Sequence, residues 1–370
     1  MLFLIRSLIN HGAERQLVEL VKALNKDRFE ATVVTFYDEN PLSSEIEDLP
    51  GVRVVSLGKR SHWDLRPFGP ALYRVARRER PDIIHGYLET ANLLSIPLSR
   101  ALRCRAIWGI RIADPGVPFR AWSLADRVIF KLDAVISRFA HAIILNADAS
   151  RRYMIAEGFR PDRMRVIHNG IDTERFKPDT VARKQIRREW GLDDDKIAIG
   201  LAARVHRVKD HRGFLEAASI LSRRRDDVRF VCAGRGTDEE WDELRNYAAS
   251  LSLGGRVIWL GNQPDMVSVY NGLDVLASSS IGESFSNSIA EAMACGVPCA
   301  ATNVGDSAVL VGETGLVVEP RDPEAMCDAW VTLLEGDRAG LGRAARARIV
   351  SEFGVQPLAR RTEAVFEAII

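Results

Sequence analysis

Apolar runs alternate with amphipathic stretches along almost the whole chain. The runs are short and rich in Val, Ile, Leu and Ala, and most are followed by a segment with helical periodicity. In the first half they are LFLI, ATVVTF, VRVVSL, PDIIHG, CRAIWGI, HAIILN and MRVIHN, and in the second half KIAIGLAA, VRFVCAG, RVIWLG, LDVLASS, VPCAAT and GLVVEP. This alternation is typical of parallel β-sheets with crossover helices, so we predict an α/β protein.

The stretch NGIDTERFKPD, residues 169–179, separates the two halves of this pattern because it is rich in turn residues. A chain of 370 residues also exceeds what one hydrophobic core usually supports. We therefore expect an N-terminal domain over residues 1–170 and a C-terminal domain over residues 171–352, joined by a hinge. The remaining residues, 353–370, are expected to form a helix that can cross back to the N-terminal domain.

Composition changes this picture little. Hydrophobic residues make up 46% and charged residues 27% of the chain, which is ordinary for a globular protein. No block of like charges resembles a nucleic-acid-binding arm, and no run approaches the ~18 apolar residues of a membrane span. MLFLIRSL is too short for a signal-peptide core and is expected to be the first strand. The five cysteines form no disulfide pattern, so reduced thiols and a cytoplasmic protein are expected.

The stretch GESFSNSIAEAMACGVP, residues 282–298, places two glutamates around the start of a short predicted helix. Ser286 or Asn287 is the expected N-cap, so Glu283 lies in the entering loop and Glu291 just over one turn inside. A helix N-terminus suits an anion such as a diphosphate, whereas the carboxylates suit sugar hydroxyls. The alternative is that both glutamates are ordinary solvated charges of a helix start.

The stretch GLAARVHRVKDH, residues 200–211, places cations where a strand ends and a helix begins. Arg204 and Lys209 flank the predicted turn and are placed to bind a diphosphate, although solvated loop charges would give the same pattern. His206 and His211 have no third ligand at metal spacing, so they are expected to be loop or capping residues and no metal site is predicted. No G-x-G-x-x-G or P-loop motif follows a strand, which argues against a dehydrogenase or a kinase.

The stretch NHGAERQLVEL, residues 10–20, forms a third strand-to-helix element. The helix is predicted from Gly12 to Leu24, with its apolar residues on one face. Gly12 would allow a ligand to approach the backbone, and the helix start again favours an anion. A simple strand-to-helix turn is the alternative.

In this order, the elements resemble the retaining glycosyltransferases of family 4, and the resemblance covers nearly the whole chain. Its pieces are GAERQL, HNGID, ARVHRVKD and GESFSNSIAEAMACGVPCAATNVGD. The last is the most specific, because it contains the family's E-x₇-E signature and the run AMACGVP. The resemblance implies the GT-B fold, in which two Rossmann-like α/β/α domains face a deep cleft. The N-terminal domain would bind the acceptor, and the C-terminal domain would bind the nucleotide sugar.

The resemblance also implies an activity. The enzyme would transfer a hexosyl or N-acetylhexosaminyl group, with retention, from a nucleotide-diphosphate sugar to a saccharide or lipid-linked saccharide in envelope or exopolysaccharide biosynthesis. In the account favoured for this family, the leaving phosphate accepts the acceptor's proton during a front-side displacement. No side-chain nucleophile, cofactor or metal ion is then expected, and a UDP-sugar is the favoured donor.

By the same resemblance, Arg204, Lys209 and Glu283 would be catalytic, with the two cations on the diphosphate and the carboxylate on the transferred sugar. Glu291 would bind the ribose hydroxyls, and the start of its helix would offer backbone N–H groups to the phosphates. The acceptor-binding residues would be His11 and Arg111. The full donor-binding set would be Gly12, Arg204, Lys209, Glu283, Phe285, Ser286, Asn287, Ser288 and Glu291.

Some positions depart from the commoner family pattern. The glycine pair before Ala13 is reduced to His11 and Gly12, so a tight approach of a ligand to the backbone is not expected at position 11. Many members have a histidine after the fifth strand; here Arg111 would take part of that role. Ser284 and Ser286 replace a frequent glycine and proline in the donor loop.

Three other functions remain compatible with parts of the sequence. A glycoside hydrolase also uses paired carboxylates, but the cations and the helix entrance favour a phosphate leaving group. A non-hydrolysing sugar-nucleotide 2-epimerase and a non-catalytic sugar-nucleotide-binding protein can share the fold. Release of nucleoside diphosphate only with acceptor, spontaneously, or never would distinguish these possibilities.

Basic residues concentrate in one part of the N-terminal domain. Residues 53–111 carry 12 Lys/Arg against 4 Asp/Glu, and SHWDLRPF, residues 61–68, adds Trp63, Leu65 and Phe68 in a proline-containing loop. Exposed aromatic residues beside basic residues would favour peripheral binding to an anionic membrane. The alternative is that the arginines are solvated and the aromatic residues belong to the core. The basic residues include Lys59, Arg60, Arg77, Arg78, Arg80, Arg100, Arg103 and Arg105.

Overall fold

The computed structural model describes residues 1–9, 11–59, 65–111, 124–193 and 195–370. Within these ranges the chain forms two compact units. The first contains the described residues up to Gly170 together with Val355–Ile370, and the second is Ile171–Gly354. No helix of the described residues is long and apolar enough to cross a membrane.

A parallel sheet of seven strands forms the centre of the first unit. The strands are β1 (Leu2–Ile5), β2 (Ala31–Thr35), β3 (Val52–Ser56), β4 (Ile83–Tyr87), β5 (Arg105–Ile110), β6 (Ala142–Leu145) and β7 (Met164–Val166). Their order across the sheet is β3-β2-β1-β4-β5-β6-β7. Its helices are α1 (Gly12–Ala23), α2 (Leu65–Glu79), α3 (Leu88–Leu102), α4 (Leu124–Ile136), α5 (Asp148–Ala156) and, from the end of the chain, α14 (Val355–Ile369).

The second unit has a parallel sheet of six strands. They are β8 (Ile197–Ala202), β9 (Val228–Ala233), β10 (Val257–Gly261), β11 (Val275–Ser278), β12 (Cys299–Thr302) and β13 (Leu316–Val318), in the order β10-β9-β8-β11-β12-β13. The helices are α6 (Thr180–Glu189), α7 (His211–Ser222), α8 (Asp238–Ser250), α9 (Met266–Gly272), α10 (Asn287–Ala294), α11 (Ser307–Val311), α12 (Pro323–Glu335) and α13 (Arg338–Arg348).

Every apolar run that was predicted to be a strand contains one, so the prediction of an α/β fold with two parallel sheets is confirmed. The central strands are continuous apolar runs because helices cover both faces of a parallel sheet. Strand β1 has four buried residues, and β8 has six. The predicted helix from Gly12 ends at Ala23, one residue earlier than expected, and its apolar face is buried in the first core.

At Phe68 the structure supports the second of the two interpretations of the aromatic residues, in which they belong to the core. Residues 65–68 of the predicted loop form the start of α2, because proline is tolerated in the first turn of a helix. Phe68 is not exposed: it is 7% exposed and packs edge-on against Phe36, with ring centroids 5.1 Å apart. Trp63 and Arg60 lie outside the described residues.

The ends of the two units are held by specific contacts. The buried side-chain amide of Gln16 on α1 donates to the carbonyl of Gly170 at 2.9 Å and accepts from its N–H at 2.7 Å. A Cβ atom at Gly170 would lie 2.8 Å from the Leu358 side chain, so no larger residue fits there. On the next residue, the Ile171 N–H donates to the Phe353 carbonyl at 2.8 Å within the second unit.

Asp274, just before β11, joins the amino end of the second sheet to α6. Its Oδ2 accepts from the Ala198 N–H at 2.8 Å and from Arg187 Nη1 at 3.1 Å, and its Oδ1 accepts from Arg183 at 2.8 Å. Arg187 is only 3% exposed and also donates to the Gly272 carbonyl. One carboxylate therefore offsets the charge of a buried guanidinium and fixes a central strand.

Asp274→Ala should destabilise the protein by about 3 to 5 kcal/mol, because it leaves the buried Arg187 charge without its carboxylate. Urea unfolding at pH 7, followed by circular dichroism, measures the change. Asp328→Ala is the matched control, since the pair of Asp328 with Arg224 is 2.8 Å long but exposed; its removal should leave the free energy of unfolding almost unchanged. Equal losses in the two variants would contradict this account.

Candidate functional site

In the second unit, the loops that follow β8 and β11 lie side by side. The two strands are neighbours, with Leu201 paired to Ala277, and both run in the same direction. Their carboxyl ends therefore meet at one edge of the sheet, where α/β proteins bind ligands. The loop after β8 contains the predicted diphosphate cations, and the loop after β11 contains the predicted sugar-binding carboxylate.

Backbone and hydroxyl contacts join these two loops. The Ser279 Oγ donates to the carbonyls of Lys209 and Asp210, at 3.0 and 2.9 Å. The Ile281 N–H donates to the Val208 carbonyl at 2.8 Å. The turn that contains the cations is thereby held against the loop that leads to α10.

Lys209 and Glu283 form an ion pair between Nζ and Oε1. The side chains are 20% and 10% exposed, so the pair is partly shielded from water. The same Oε1 accepts from the Ser280 hydroxyl at 3.1 Å. Lys209 was expected to bind the diphosphate and Glu283 the transferred sugar. The structure brings the two residues together, and each charge neutralises the other.

Arg204 has a different environment, because its side chain is exposed and has no acidic partner among the described residues. His206 follows it in the same turn, and its Nδ1 accepts from the Val208 N–H at 3.4 Å. Burial and then the cations Arg204, Arg207 and Lys209 lower the pKa of this imidazole. The turn after β8 is therefore a region of positive potential that would attract an anion.

Helix α10 begins beside this turn. Ser286 is its N-cap by position, but its hydroxyl makes no capping bond and instead lies 3.2 Å from the Ser288 hydroxyl. Asn287 is the first helical residue. The Phe285 side chain is 6% exposed and packs on Phe353 in the core, so its side chain holds the loop in place rather than facing solvent.

Glu291 lies on the second turn of α10 and accepts a 2.7 Å hydrogen bond from the Tyr270 hydroxyl. Tyr270 is buried on α9, and burial and the Glu291 carboxylate raise its pKa well above the usual value. The phenol therefore stays protonated and orients the carboxylate. Sequence reasoning missed Tyr270, because a tyrosine on a short apolar helix gives no signal of this contact.

A glycine turn after β12 closes against the same loop. The Asp306 N–H donates to the Ser284 carbonyl at 2.8 Å. Gly305 has φ +60°, and a Cβ atom there would lie 2.5 Å from that carbonyl. Only glycine fits at position 305. Its lack of a side chain allows the turn NVGD, residues 303–306, to pack closely against the loop that leads to α10.

The predicted residues of the first unit occupy two places. His11 and Gly12 are exposed at the start of α1, and His11 makes no side-chain capping bond. Arg111 follows β5; its Nη1 donates to Asn169 Oδ1, and its guanidinium carbon lies 5.1 Å from the centroid of the Tyr87 ring. Arg111 is therefore fixed by the Asn-Gly turn at the end of the unit, a contact that the sequence did not predict.

Asp133 on α4 is a buried carboxyl in the first unit. It is 6% exposed, and its Oδ1 has no hydrogen-bond partner among the described residues. Burial, and secondarily Glu89, raises its pKa to about 6. It lines a cavity of about 20 Å³ with Asn92 and Trp108, enough for one water molecule and too small for a sugar.

Among the described residues, no group of three or more His, Cys, Asp and Glu side chains could hold a metal ion. The five cysteines are free: four are buried, and Cys104 is partly buried. Burial raises the pKa of the Cys232 and Cys299 thiols, which keeps them protonated and unreactive, and so these residues act as core side chains.

Two family models match the chain, one on each unit. The model described as Glycosyltransferase Family 4 matches residues 10–175, and the model described as Glycosyl transferases group 1 matches residues 196–336. Together they include the turn after β8, the whole of the predicted donor loop and the start of α1.

Relatives with sequence similarity are bacterial glycosyltransferases. The chain is 33% identical over 215 residues to a lipopolysaccharide core biosynthesis mannosyltransferase, LpsB, of Rhizobium meliloti, covering 55% of this chain and 61% of that protein. It is 34% identical over 210 residues to a D-inositol 3-phosphate glycosyltransferase of Corynebacterium urealyticum, covering 54% and 49%. The matched region thus spans about half of each relative's length.

Solved structures with the same fold cover both units. The structure of Anabaena Alr3699/HepE in complex with UDP has a TM-score of 0.85 at 22% identity and covers 99% of both chains. The complex of the same protein with UDP-glucose has a TM-score of 0.83. These similarities establish that the two units have the GT-B fold.

Asp133→Asn should change stability in a pH-dependent way. The folded-state pKa of about 6 lies above the unfolded value of about 3.9, so the unfavourable buried charge is absent below about pH 4 and fully present above about pH 7. The variant should therefore be more stable than the wild type by about 1 to 3 kcal/mol at pH 8 and equal to it at pH 4.

Urea unfolding at the two pH values measures this difference. Asp27→Asn removes an exposed carboxylate from the same unit and should give the same small difference at both pH values. A pH-independent effect of Asp133→Asn would show that the buried carboxyl does not titrate as described.

Proposed function

The chain belongs to glycosyltransferase family 4, and from this premise we propose that it transfers a sugar, with retention of configuration, from a nucleotide-diphosphate sugar to a saccharide or lipid-linked saccharide acceptor. The observation that carries the proposal is the joining of the β8 and β11 loops, which sets Arg204 and the Lys209–Glu283 pair beside the start of α10. This arrangement offers cations for a diphosphate and carboxylates for sugar hydroxyls within one unit.

In this proposal, different residues bind different parts of the donor. Arg204 and Lys209 bind the diphosphate, and the first turn of α10, from Asn287 and Ser288, adds backbone N–H groups and the helix dipole. Glu283 accepts hydrogen bonds from the transferred sugar. Glu291, oriented by the Tyr270 hydroxyl, accepts them from the ribose. Donor binding requires Lys209 to exchange its carboxylate partner for phosphate oxygens.

The same cations promote the reaction. As the anomeric bond breaks, negative charge develops on the diphosphate, and fixed cations bind that charge more strongly than they bind the ground state. The departing phosphate oxygen takes the proton of the acceptor hydroxyl as the new glycosidic bond forms on the same face. Neither a side-chain nucleophile nor a divalent metal takes part in this route.

Two features support a UDP-hexose donor and an envelope role. The structurally similar Anabaena protein was solved with UDP and with UDP-glucose, and a relative is named for lipopolysaccharide core biosynthesis. We propose a UDP-sugar as donor, and an acceptor bound by the first unit near His11 and Arg111. The basic residues of that unit would favour an anionic membrane surface, which would place the enzyme beside a lipid-linked acceptor at the cytoplasmic face.

Arg204→Ala should lower kcat by about a hundredfold, because it removes a group that stabilises the leaving diphosphate. The assay follows UDP release from a UDP-sugar in the presence of acceptor and EDTA, since the proposal needs no metal. Arg207→Ala is the matched control: it removes another exposed cation from the same turn and should change kcat by less than about threefold, as a general surface charge would.

Equal effects of the two substitutions would mean that the turn acts only through its overall charge. A change confined to KM would assign Arg204 to binding alone. Activity that is lost in EDTA and restored by magnesium would contradict the metal-free route, and UDP release without any acceptor would favour an epimerase.

Glu291→Ala should weaken UDP-sugar binding by about 1 to 3 kcal/mol, the usual cost of unpaired polar groups at a ligand hydroxyl. Tyr270→Phe should weaken it less, because the carboxylate remains but loses its orienting hydrogen bond. Titration calorimetry measures both. Glu313→Ala, at an exposed position of the same unit, should leave the affinity unchanged; unchanged affinity in Glu291→Ala as well would remove Glu291 from the donor site.

A further inference from the structure

A pocket of about 1020 Å³ lies in the first unit, at the edge of the sheet where the strands begin. Its walls include Asp82, Cys104, His141 and Arg163, which directly precede or begin β4, β5, β6 and β7. This edge is opposite to the one where β5 ends and Arg111 follows. The pocket therefore differs from the acceptor region proposed above.

The pocket is strongly basic. Asp82 is the one acidic side chain among the described residues that line it. Arg163 donates to the Ala140 carbonyl at 2.6 Å and has only a long contact of 3.9 Å with Asp162, and the other arginines have no acidic partner in the described part of the chain. These other arginines are Arg77, Arg80, Arg100, Arg103, Arg105 and Arg138.

The ends of helices explain only part of this charge. Arg77 lies in the last turn of α2, Arg100 in the last turn of α3, and Arg138 just after α4, where cations offset the helix dipole. Arg105 begins β5 and has no such role, and Arg163 ends only a three-residue 3₁₀ helix before β7. Each helix end offsets only about half a charge, so about three or more positive charges stay uncompensated around one concave surface.

Some of these groups are already held in place. The Arg100 guanidinium carbon lies 4.0 Å from the centroid of the Phe139 ring, which also lines the pocket. His141 Nδ1 accepts from the Ala106 N–H at 3.1 Å, so the neutral ring carries its proton on Nε2 and can donate it to an anion. Burial, Arg105 and Arg163 lower the pKa of His141, which reflects the positive potential inside the pocket.

We propose that this arginine pocket binds a ligand with clustered phosphate groups, at a site separate from the donor site. Guanidinium groups match phosphate oxygens in a two-pronged geometry, and a concave surface lined by one sign of charge concentrates the field on its ligand. A volume of about 1020 Å³ admits several phosphate groups at once. The ligand can come from two sources, a soluble oligophosphate or the phosphorylated headgroup of a lipid.

The test compares two double variants of the whole protein. Arg77→Glu with Arg105→Glu reverses one helix and one strand cation inside the pocket. Arg74→Glu with Arg165→Glu makes the same charge change on α2 and on β7, at exposed positions outside the pocket. Tripolyphosphate is the soluble probe, measured by titration calorimetry at about 50 mM NaCl, where screening is weak. Circular dichroism and thermal midpoints verify that both variants are folded.

The pocket variant should bind tripolyphosphate at least about tenfold more weakly than the wild type, and the control variant within about twofold. Arg204→Ala removes a cation of the second unit and can weaken only the tripolyphosphate binding that occurs there. Binding to the arginine pocket should therefore persist in this variant, whether or not the proposed transferase function holds. Flotation with phosphatidylglycerol and phosphatidylcholine vesicles distinguishes the two sources. If the wild type does not bind tripolyphosphate, and only the pocket variant loses binding to phosphatidylglycerol vesicles, the site is assigned to a lipid headgroup.

Three results would overturn the proposal. Equal weakening in the two double variants would mean diffuse attraction to a basic surface. Loss of tripolyphosphate binding in Arg204→Ala but not in the pocket variant would place the anion in the donor site. Failure of the wild type to bind either tripolyphosphate or phosphatidylglycerol vesicles would leave the arginines without a phosphate ligand.

Discussion

The parallel direction of the strands is the constraint on which the rest of this structure depends. When all strands of a sheet run the same way, every loop that follows a strand emerges at one edge, and neighbouring strands bring their loops together whatever their distance in sequence. Lys209 and Glu283 are 74 residues apart in the chain and form an ion pair for this reason. Had β8 and β11 been antiparallel, these two charges would have been at opposite ends of the sheet.

The same constraint creates a second edge, where the strands begin, and the two units use it differently. In the second unit, the Asp274 carboxylate at this edge offsets the charges of α6 arginines and fixes β8. In the first unit, arginines gather at the corresponding edge around the single acidic side chain of Asp82 among the described residues that line the pocket. A structural role therefore suffices for the charges of one edge, whereas those of the other are the basis of the proposed phosphate site.

Local patterns were enough to predict the strands and α1, because burial on both faces of a parallel sheet leaves a continuous apolar run in the sequence. They left Phe68 undecided between an exposed loop and the core, and the ring packs in the core. Contacts between distant segments were out of reach. The hydrogen bonds of Gln16 with Gly170 and of Tyr270 with Glu291 depend on the fold as a whole, and one sequence contains no signal of them. The number of charged residues along the chain indicated a basic region in the first unit. It did not indicate that these arginines surround a concave surface.

In the proposed donor site, the ion pair of Lys209 with Glu283 would make ligand binding an exchange of partners. A bare anion could bind Lys209 only by leaving the Glu283 carboxylate, which is 10% exposed, without its counter-charge. A neutral sugar could bind Glu283 only by separating it from Lys209. A molecule that presents an anion and hydroxyl groups at the right separation satisfies both at once. The site would thus select ligands that carry both groups. A fragment of the donor would compete poorly, because it would break the ion pair while giving a new partner to only one of the two side chains.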